Sequence, residues 1–403
     1  MLTATTLGRS PVLSRGALVT SSAMGDWFEA LCGFPERGAD VRSVLEVEDG
    51  FLVSPVNGSR YRVGAFSTPS LGELRAEVGA LAGAAAGGGG QRSTFSNVFG
   101  DAAAFHDEAP RATFQVASQF NCLEFVGPSV TPEDGVTGYA HDRTQGPCCA
   151  IACGAATIYR NYFVRGCAEG GGQTKDSQIE NLGPVLAALG PPGAGRFRVR
   201  GGYTLADDAA LDAYAERLAA LDAVALDAVA GELRVGVQVG CQVTALDWGR
   251  RQMRDEAHVV TQVYGSACSV AYSRNDRKKW KPFALLVLRA SYEATLLVAA
   301  RNALQNPDDA NAKVVYLTAI GGGVFGNPLS WIADAVRRAL AAVDALAKVP
   351  LDVRLVTYAP PVPRHFADLA AERAPPAAAP PSSGKKKKRD RSPEDAPPPP
   401  APL

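Results

Sequence analysis

The run Gly321-Gly-Gly-Val-Phe-Gly-Asn327 sets four glycines in seven residues directly after a strand pattern, and its chemistry is the cradling of an anion. Glycine admits positive φ and lets main-chain N–H groups approach an oxyanion with no Cβ in the way, so a phosphate ester is the ligand this loop suits. Gly321 to Gly326 also fits G-x-G-x-x-G, the dinucleotide fingerprint. That motif belongs at the first strand of a doubly wound sheet, whereas a single strand pattern remains here before a proline-rich tail. A tight strand-to-helix turn with no ligand is the plainer alternative, although three consecutive glycines exceed what a turn requires. No Lys-Ser/Thr follows the loop, which excludes an ordinary P-loop.

A second constellation offers different chemistry. Gln145-Gly-Pro-Cys-Cys149 opens a helical pattern, and a thiol at a helix N-terminus has its thiolate favoured by the dipole. His258 begins an apolar strand pattern and would supply the imidazole of a papain-like cysteine hydrolase built on Cys149, with Gln145 as an oxyanion donor. The competing reading is packing: Cys148, Cys149 and Cys153 lie among Ala150, Ala152, Ala155 and Ala156, as in a buried small-residue helix, and no third residue to orient His258 stands out.

The glycine loop sits between elements able to hold it. Lys313 to Ile320 is an apolar, β-rich run of strand length. Asn327 reads as an N-cap and Pro328 as the first helical residue. Trp331, Ile332, Ala335, Val336, Ala339, Leu340 and Val343 then recur at helical spacing, with Asp334, Arg337, Arg338 and Asp344 off that face. Leu351 to Tyr358 closes a βαβ unit, whose helix start would add its dipole to the loop. Upstream, the patterns predict a strand at Ala112 to Phe125, helices at Cys148 to Val164 and Asp207 to Leu221, a strand at His258 to Tyr264 and a helix at Pro282 to Asn302. Strands alternating with helices make the fold class α/β, a layered sandwich.

The 403 residues are 46% hydrophobic with zero formal net charge, so the chain can bury one large core or two modest ones, and no global field favours nucleic acid or membrane. No run of eighteen apolar residues occurs. Eight irregularly spaced cysteines fit free thiols in a reducing compartment, and no metal site or cofactor is expected. Residues 1–25, with Arg9, Arg15 and no acid, have the composition of an organellar transit peptide or of a disordered N-terminus. Residues 26–91 are expected as an N-terminal appendage ending in a flexible Gly/Ala insertion at Gly79 to Gln91, residues 92–365 as the α/β core, and residues 366–403 as a disordered Pro/Ala/Lys-rich tail. Lys385 to Arg391 in that tail reads either as a solvated charge run or as a nuclear-import signal, so the compartment stays open between cytoplasm, nucleus and organelle. The same run suits weak, unspecific nucleic-acid contact.

Taken as a series, these segments resemble the macro domain, the ADP-ribose-binding module, in a divergent form. The resemblance rests on Phe114-Gln-Val-Ala-Ser-Gln-Phe-Asn121 followed by Pro132-Glu-Asp-Gly-Val-Thr-Gly-Tyr139, on Gly202-Tyr-Thr-Leu205, on Val259-Val-Thr-Gln-Val-Tyr264, on the tyrosine-containing helix segment Ala290-Ser-Tyr-Glu-Ala-Thr-Leu-Leu297, and on Ile320-Gly-Gly-Gly-Val-Phe-Gly-Asn-Pro328, which is similar to the family's second phosphate loop. The first loop lacks the family's glycine run, and Val63-Gly-Ala-Phe-Ser67 does not reproduce the segment whose aspartate binds adenine.

The resemblance implies a three-layer α/β/α sandwich with a macro-domain-like mixed sheet. It also implies that ADP-ribose, or a related nucleotide diphosphate sugar, lies on Gly321, Gly322, Gly323, Val324, Phe325, Gly326 and Asn327. Phe325 would cover the distal ribose, and Gln119 or Asn121 would donate to its hydroxyls. Hydrolytic members cleave an ADP-ribosyl linkage; by position, Glu133 and Asp134 would be the general base or a ribose ligand. A Glu-Asp-Gly triplet is equally a plain turn. The expected partner is ADP-ribose or an ADP-ribosylated protein, with no membrane, and the protein is either a hydrolase or a non-catalytic reader.

Overall fold

The computed structural model describes residues 26–85 and 92–374. The predicted transit peptide, the Lys385 to Arg391 run and most of the tail lie outside the described residues. Seven strands form one sheet: β1 (Ala65–Ser67), β2 (Thr94–Phe99), β3 (Thr113–Ala117), β4 (Gly236–Gln242), β5 (Val259–Gly265), β6 (Val314–Leu317) and β7 (Asp352–Thr357). Their spatial order is β1-β4-β5-β3-β6-β7-β2. The five strands from β5 to β2 run parallel, and β4 is antiparallel to both of its neighbours. Parallel neighbours need crossovers, and helices supply them.

Helices cover both faces: α1 (Leu71–Ala84), α2 (Ala102–Glu108), α3 (Gln145–Ala152), α4 (Gly154–Tyr162), α5 (Asp208–Ala220), α6 (Arg277–Gln305) and α7 (Leu329–Ala347). On one face α1, α5, α6 and α7 pack on Val237, Val263, Val315, Leu317, Val353 and Leu355. On the other, Cys148, Cys149, Ala152, Cys153 and Ala156 of the α3–α4 segment meet Phe114, Val116, Val260, Tyr264 and Tyr316. Strand residues alternate between the two cores, as the period of two demands. The fold is therefore the three-layer α/β/α sandwich with a mixed sheet. Helix α6, 29 residues long, is long and apolar enough to cross a membrane by length and composition, yet 83% of its apolar window is buried inside the sandwich.

Several boundaries differ from the sequence pattern. The expected helix over Cys148 to Val164 is two helices, broken where Cys153 leaves helical geometry (φ −112°, ψ 59°) and Thr244 Oγ1 accepts from Gly154 N at 2.9 Å. The strand expected to reach Phe125 stops at Ala117, because residues 119–125 fold back on themselves. Residues 26–85 pack into the core: β1 pairs with β4 as the sheet's edge, α1 continues through Gly79 to Ala84, and Trp27, Phe28 and Leu31 share a core with Ile151, Ala155 and Ile158, while residues 86–91 of the expected insertion lie outside the described residues. A Gly/Ala-rich stretch reads as a linker until tertiary packing covers it.

Candidate active site

The parallel strands deliver their C-terminal ends to one side of the sheet, where open α/β folds place their ligand sites. A cleft of about 730 Å³ opens there, within the range of roughly 300–1,000 Å³ usual for small-molecule and cofactor sites. Its walls come from the ends of β3, β6 and β7 and from the segments after them. Ala117 to Gln119, Glu124 to Val126, His141 to Gln145, Tyr203, Tyr272, Thr318 to Gly321, Gly323 to Phe325 and Val356 to Tyr358 contribute.

One wall is the glycine loop. Gly321 and Gly326 have φ of +72° and +74°, and a Cβ at Gly321 would lie 2.6 Å from both Ala267 Cβ and Asn327 Nδ2. The loop braces itself through Gly322 N to Ala319 O (2.9 Å), Gly326 N to Gly323 O (3.0 Å) and Asn327 N to Gly321 O (2.9 Å). Tyr292 pins the approach: its hydroxyl donates to Thr318 O at 2.7 Å and accepts from Ile320 N at 3.0 Å. The N–H groups of Gly323, Val324 and Phe325 donate to no acceptor among the described residues. Three consecutive N–H groups at the lip of the cleft are thus left without a hydrogen-bond partner among the described residues.

The predicted loop ligands divide. Gly321, Gly323, Val324 and Phe325 line the cleft; Gly322, Gly326 and Asn327 do not. A Cβ at Gly322 would lie 3.0 Å from Ile332 Cδ1 and 3.1 Å from Leu329 Cδ2, against the core side of α7. Asn327 is not the N-cap. Pro328 holds that position, and the Asn327 amide donates to Cys268 O (2.8 Å) and Gly321 O (3.1 Å), tying the loop's two ends together. The loop, not the helix start, therefore faces the ligand space. Phe325 closes one end of the cleft, its ring 5.1 Å from Tyr203 and 5.7 Å from Tyr272.

The facing wall, residues 118–126, is built on buried polar contacts. Gln119 lines the cleft but spends its amide on the backbone of Phe125, donating to O and accepting from N, each at 3.0 Å. Asn121 lies outside the cleft; its carboxamide accepts from Leu123 N and donates to Gln178 Oε1, so it shapes the loop and does not reach a ligand. Glu124 is the acid the motif search missed. It lines the cleft floor with its side chain fully buried, accepts from Ser118 Oγ at 2.5 Å, and pairs with the equally buried Arg160 at 3.2 Å. Burial raises its carboxyl above the ordinary carboxylate range, opposed by the Arg160 guanidinium. Arg160 also donates to Cys122 O (2.8 Å) and Tyr264 OH (2.5 Å) and lies over the Tyr264 ring at 3.7 Å. The clue in the sequence was an acid inside the apolar run Phe120 to Val126, which cannot be buried without a partner.

Glu133 and Asp134 are exposed and outside the cleft. Glu133 accepts from Lys175 N, and Asp134 accepts from Thr131 N and Oγ1, closing its own 3₁₀ turn. The plain-turn reading wins: the acids satisfy local backbone donors. Among the described residues, the two carboxylates that line the cleft are Glu124 and Asp142, and Arg143 is its one Lys or Arg.

The cysteine constellation is not assembled as a nucleophile site. Cys149 is fully buried and burial pushes its thiol well above the ordinary range; Cys148 is pushed up to about 12 by the same cause. His258 stands at the N-terminal start of β5, where its Nε2 meets His106 O at 2.8 Å, while the cleft opens at the other end of the sheet. Gln145 does line the cleft, with its Oε1 accepting from Ala102 N at 2.9 Å.

No known protein-family model matches this chain, and no curated protein sequence matches it. Among solved structures, it is similar to a poly(ADP-ribose) glycohydrolase from Thermomonospora curvata, at 15% identity and a TM-score of 0.40, covering 81% of this chain and 94% of that one. It is also similar to the poly(ADP-ribose) glycohydrolase from Deinococcus radiodurans in complex with ADP-ribose, at 14% identity and a TM-score of 0.39, covering 76% of this chain and 92% of that one. The T. curvata enzyme bound to the inhibitor ADP-HPD is similar at 13% identity and a TM-score of 0.39.

Proposed function

We propose that the cleft binds ADP-ribose or a closely related nucleotide diphosphate sugar and hydrolyses an ADP-ribosyl linkage. The observation that carries this reading is the row of unspent N–H groups at Gly323, Val324 and Phe325, lining the same cleft as the buried Glu124. A diphosphate accepts from those donors, with Arg143 adding the cleft's cationic side chain. Phe325, Tyr203 and Tyr272 form an apolar end wall of the kind a sugar ring packs against.

Glu124 replaces Glu133 and Asp134 as the acid–base group of this reading. A carboxyl raised by burial holds its proton closer to neutral pH and can pass it to a leaving group, the general-acid half of glycoside cleavage. Asp142, the second carboxylate in the lining, is the candidate for steering water.

Calorimetric titration of ADP-ribose, with AMP and NAD as comparisons, and an assay of ADP-ribose release from an ADP-ribosylated peptide test the reading on wild type, Gly323→Glu and Glu124→Gln. A Cβ at Gly323 meets nothing within 4 Å, so the glutamate adds charge without a packing cost. Micromolar binding to wild type, at least a hundredfold weaker in Gly323→Glu and retained with lost turnover in Glu124→Gln, is the expected pattern. No binding of any of the three nucleotides to wild type would sink it. Full turnover in Glu124→Gln would leave a reader cleft with another residue as acid.

A further inference from the structure

A second hollow, of about 330 Å³, is lined by Arg198, Val199, Arg200 and Leu205. These residues belong to a hairpin, Phe197–Arg200 paired antiparallel with Tyr203–Ala206. Phe197 points inward, its ring 5.0 Å from Phe283 and 5.4 Å from Tyr214. Arg198 and Arg200 therefore share the other face, opposite Leu205 and Tyr203 in the ladder. That is the face which carries Tyr203 into the cleft wall beside Phe325.

The hairpin is fixed to the cleft. Its two-residue tip, Gly201-Gly202, has φ of +55° and +75°, as a turn with both central residues at positive φ requires. A Cβ at Gly202 would lie 2.4 Å from Gln119 Cβ, and Phe120 N donates to Gly202 O at 3.2 Å. Tyr203 OH donates to Phe125 O at 2.6 Å. An anion held by the arginines thus sits in a set relation to whatever fills the cleft.

Both arginines are exposed, and neither has an acidic partner among the described residues, whereas Arg75, Arg160, Arg289, Arg337 and Arg354 are each tied to one. Alternate residues of a strand stand about 6.7 Å apart, comparable with the spacing of successive phosphates along a single nucleic-acid strand. The guanidinium fork matches phosphate oxygens in pairs, which an ammonium cannot do.

We infer that Arg198 and Arg200 form an anion subsite for two consecutive phosphates of a phosphodiester strand, the continuation of a substrate whose nucleoside diphosphate end occupies the main cleft. The inference rests on the diphosphate reading of that cleft. It makes the substrate a phosphate-bearing chain and not an isolated sugar nucleotide.

The test titrates the full chain and Arg198→Ala/Arg200→Ala with a fluorescent single-stranded DNA pentamer, with a fluorescent pentaglutamate peptide and, separately, with ADP-ribose. Pentamer affinity should fall at least tenfold in the double variant. Its log affinity against log salt should lose about 1.4 in slope, for two phosphates at about 0.7 each. ADP-ribose affinity should change less than twofold. In both proteins Lys385 to Lys388, Arg389 and Arg391 are replaced by Ala, so the tail offers the pentamer no competing site. Unchanged pentamer affinity and slope would overturn the subsite, and pentaglutamate bound as tightly as the pentamer would overturn its assignment to phosphodiesters. Absence of ADP-ribose binding in both proteins would remove the reading of the main cleft, while the pentamer comparison still decides the arginines by itself.

Discussion

The two walls of the cleft spend their polar groups in opposite ways. Residues 119–125 use them internally: Gln119 brackets Phe125, Asn121 holds Leu123 and Gln178, and Glu124 is tied to Ser118 and Arg160. The glycine loop closes three backbone hydrogen bonds of its own and leaves the donors of Gly323, Val324 and Phe325 open. A wall that is internally satisfied is rigid and contributes to the fold. A wall with unspent donors exposed to solvent contributes little to folding and keeps its hydrogen bonds for a ligand. Substitutions in the first wall should therefore act on stability, with Glu124 acting on turnover as well, and substitutions in the second on affinity.

The largest expected effect comes from Arg160→Met. Removing one partner of a buried ion pair leaves the other charge uncompensated, and such changes cost about 3–5 kcal/mol. Arg160 also holds Cys122, a non-glycine residue at φ +61°, so the turn that carries Glu124 should loosen with it. Urea unfolding of Arg160→Met checks this; a loss under 1 kcal/mol would mean that the first wall does not depend on its buried network.

The network has a pH-sensitive neighbour. Gln262 accepts from Tyr264 OH at 3.0 Å and meets His106 Nε2 at 3.1 Å, while His106 Nδ1 lies 2.7 Å from Ala102 O. The Nδ1–H tautomer satisfies both contacts: it donates to the carbonyl and accepts from the amide. Burial, more than any other cause, lowers the His106 imidazole from 6.5 to about 4. A depressed folded-state value means that the stability is fully present above pH 6.5 and is lost as pH falls from 6.5 to 4, when the unfolded chain takes up the proton first. The loss amounts to roughly 3 kcal/mol for a group this buried. Urea midpoints between pH 7 and 4 should fall more steeply for wild type than for His106→Gln. Parallel curves would show that His106 is not the proton acceptor.

How much of this was legible in the sequence divides along the same line. The glycine loop, the amphipathic α7 and strand β7 are local patterns, and each stands close to its expected place because periodicity and glycine content act over a few residues. Glu124 and Arg160 are 36 residues apart and mean something only as a pair. Neither carries a spacing signal, and a lone acid in an apolar run says that a partner exists without saying where. The α1 stretch failed for a related reason: its glycines offset the helix preference of its alanines, and packing against α6 and α7 decided the conformation. Gly322 and Gly323 look interchangeable in sequence, yet one faces α7 and the other the cleft, a distinction set by the turn and not by composition.

The smallest expected effect is at Asp134, and it sharpens the contrast because this is one of the two acids that the resemblance placed at the site. Its carboxylate accepts from Thr131 N at 2.8 Å and Thr131 Oγ1 at 3.0 Å, so Asp134→Ala removes a cap from an exposed turn. Caps are worth about 1 kcal/mol, and Glu36 independently grips the chain just downstream through Val136 N and Thr137 N at 2.9 and 2.6 Å. The stability loss should therefore be about 1 kcal/mol or less. ADP-ribose affinity and turnover should stay within twofold of wild type, since the Asp134 carboxylate bonds within its own turn, outside the cleft; the Tyr139 hydroxyl beyond it accepts from Glu124 N at 2.9 Å, and the Tyr139 ring lies 5.6 Å from that of Phe125. A tenfold loss of either would mean that the turn transmits its geometry through Tyr139 to Glu124, and the line between the two walls would have to be redrawn to include it.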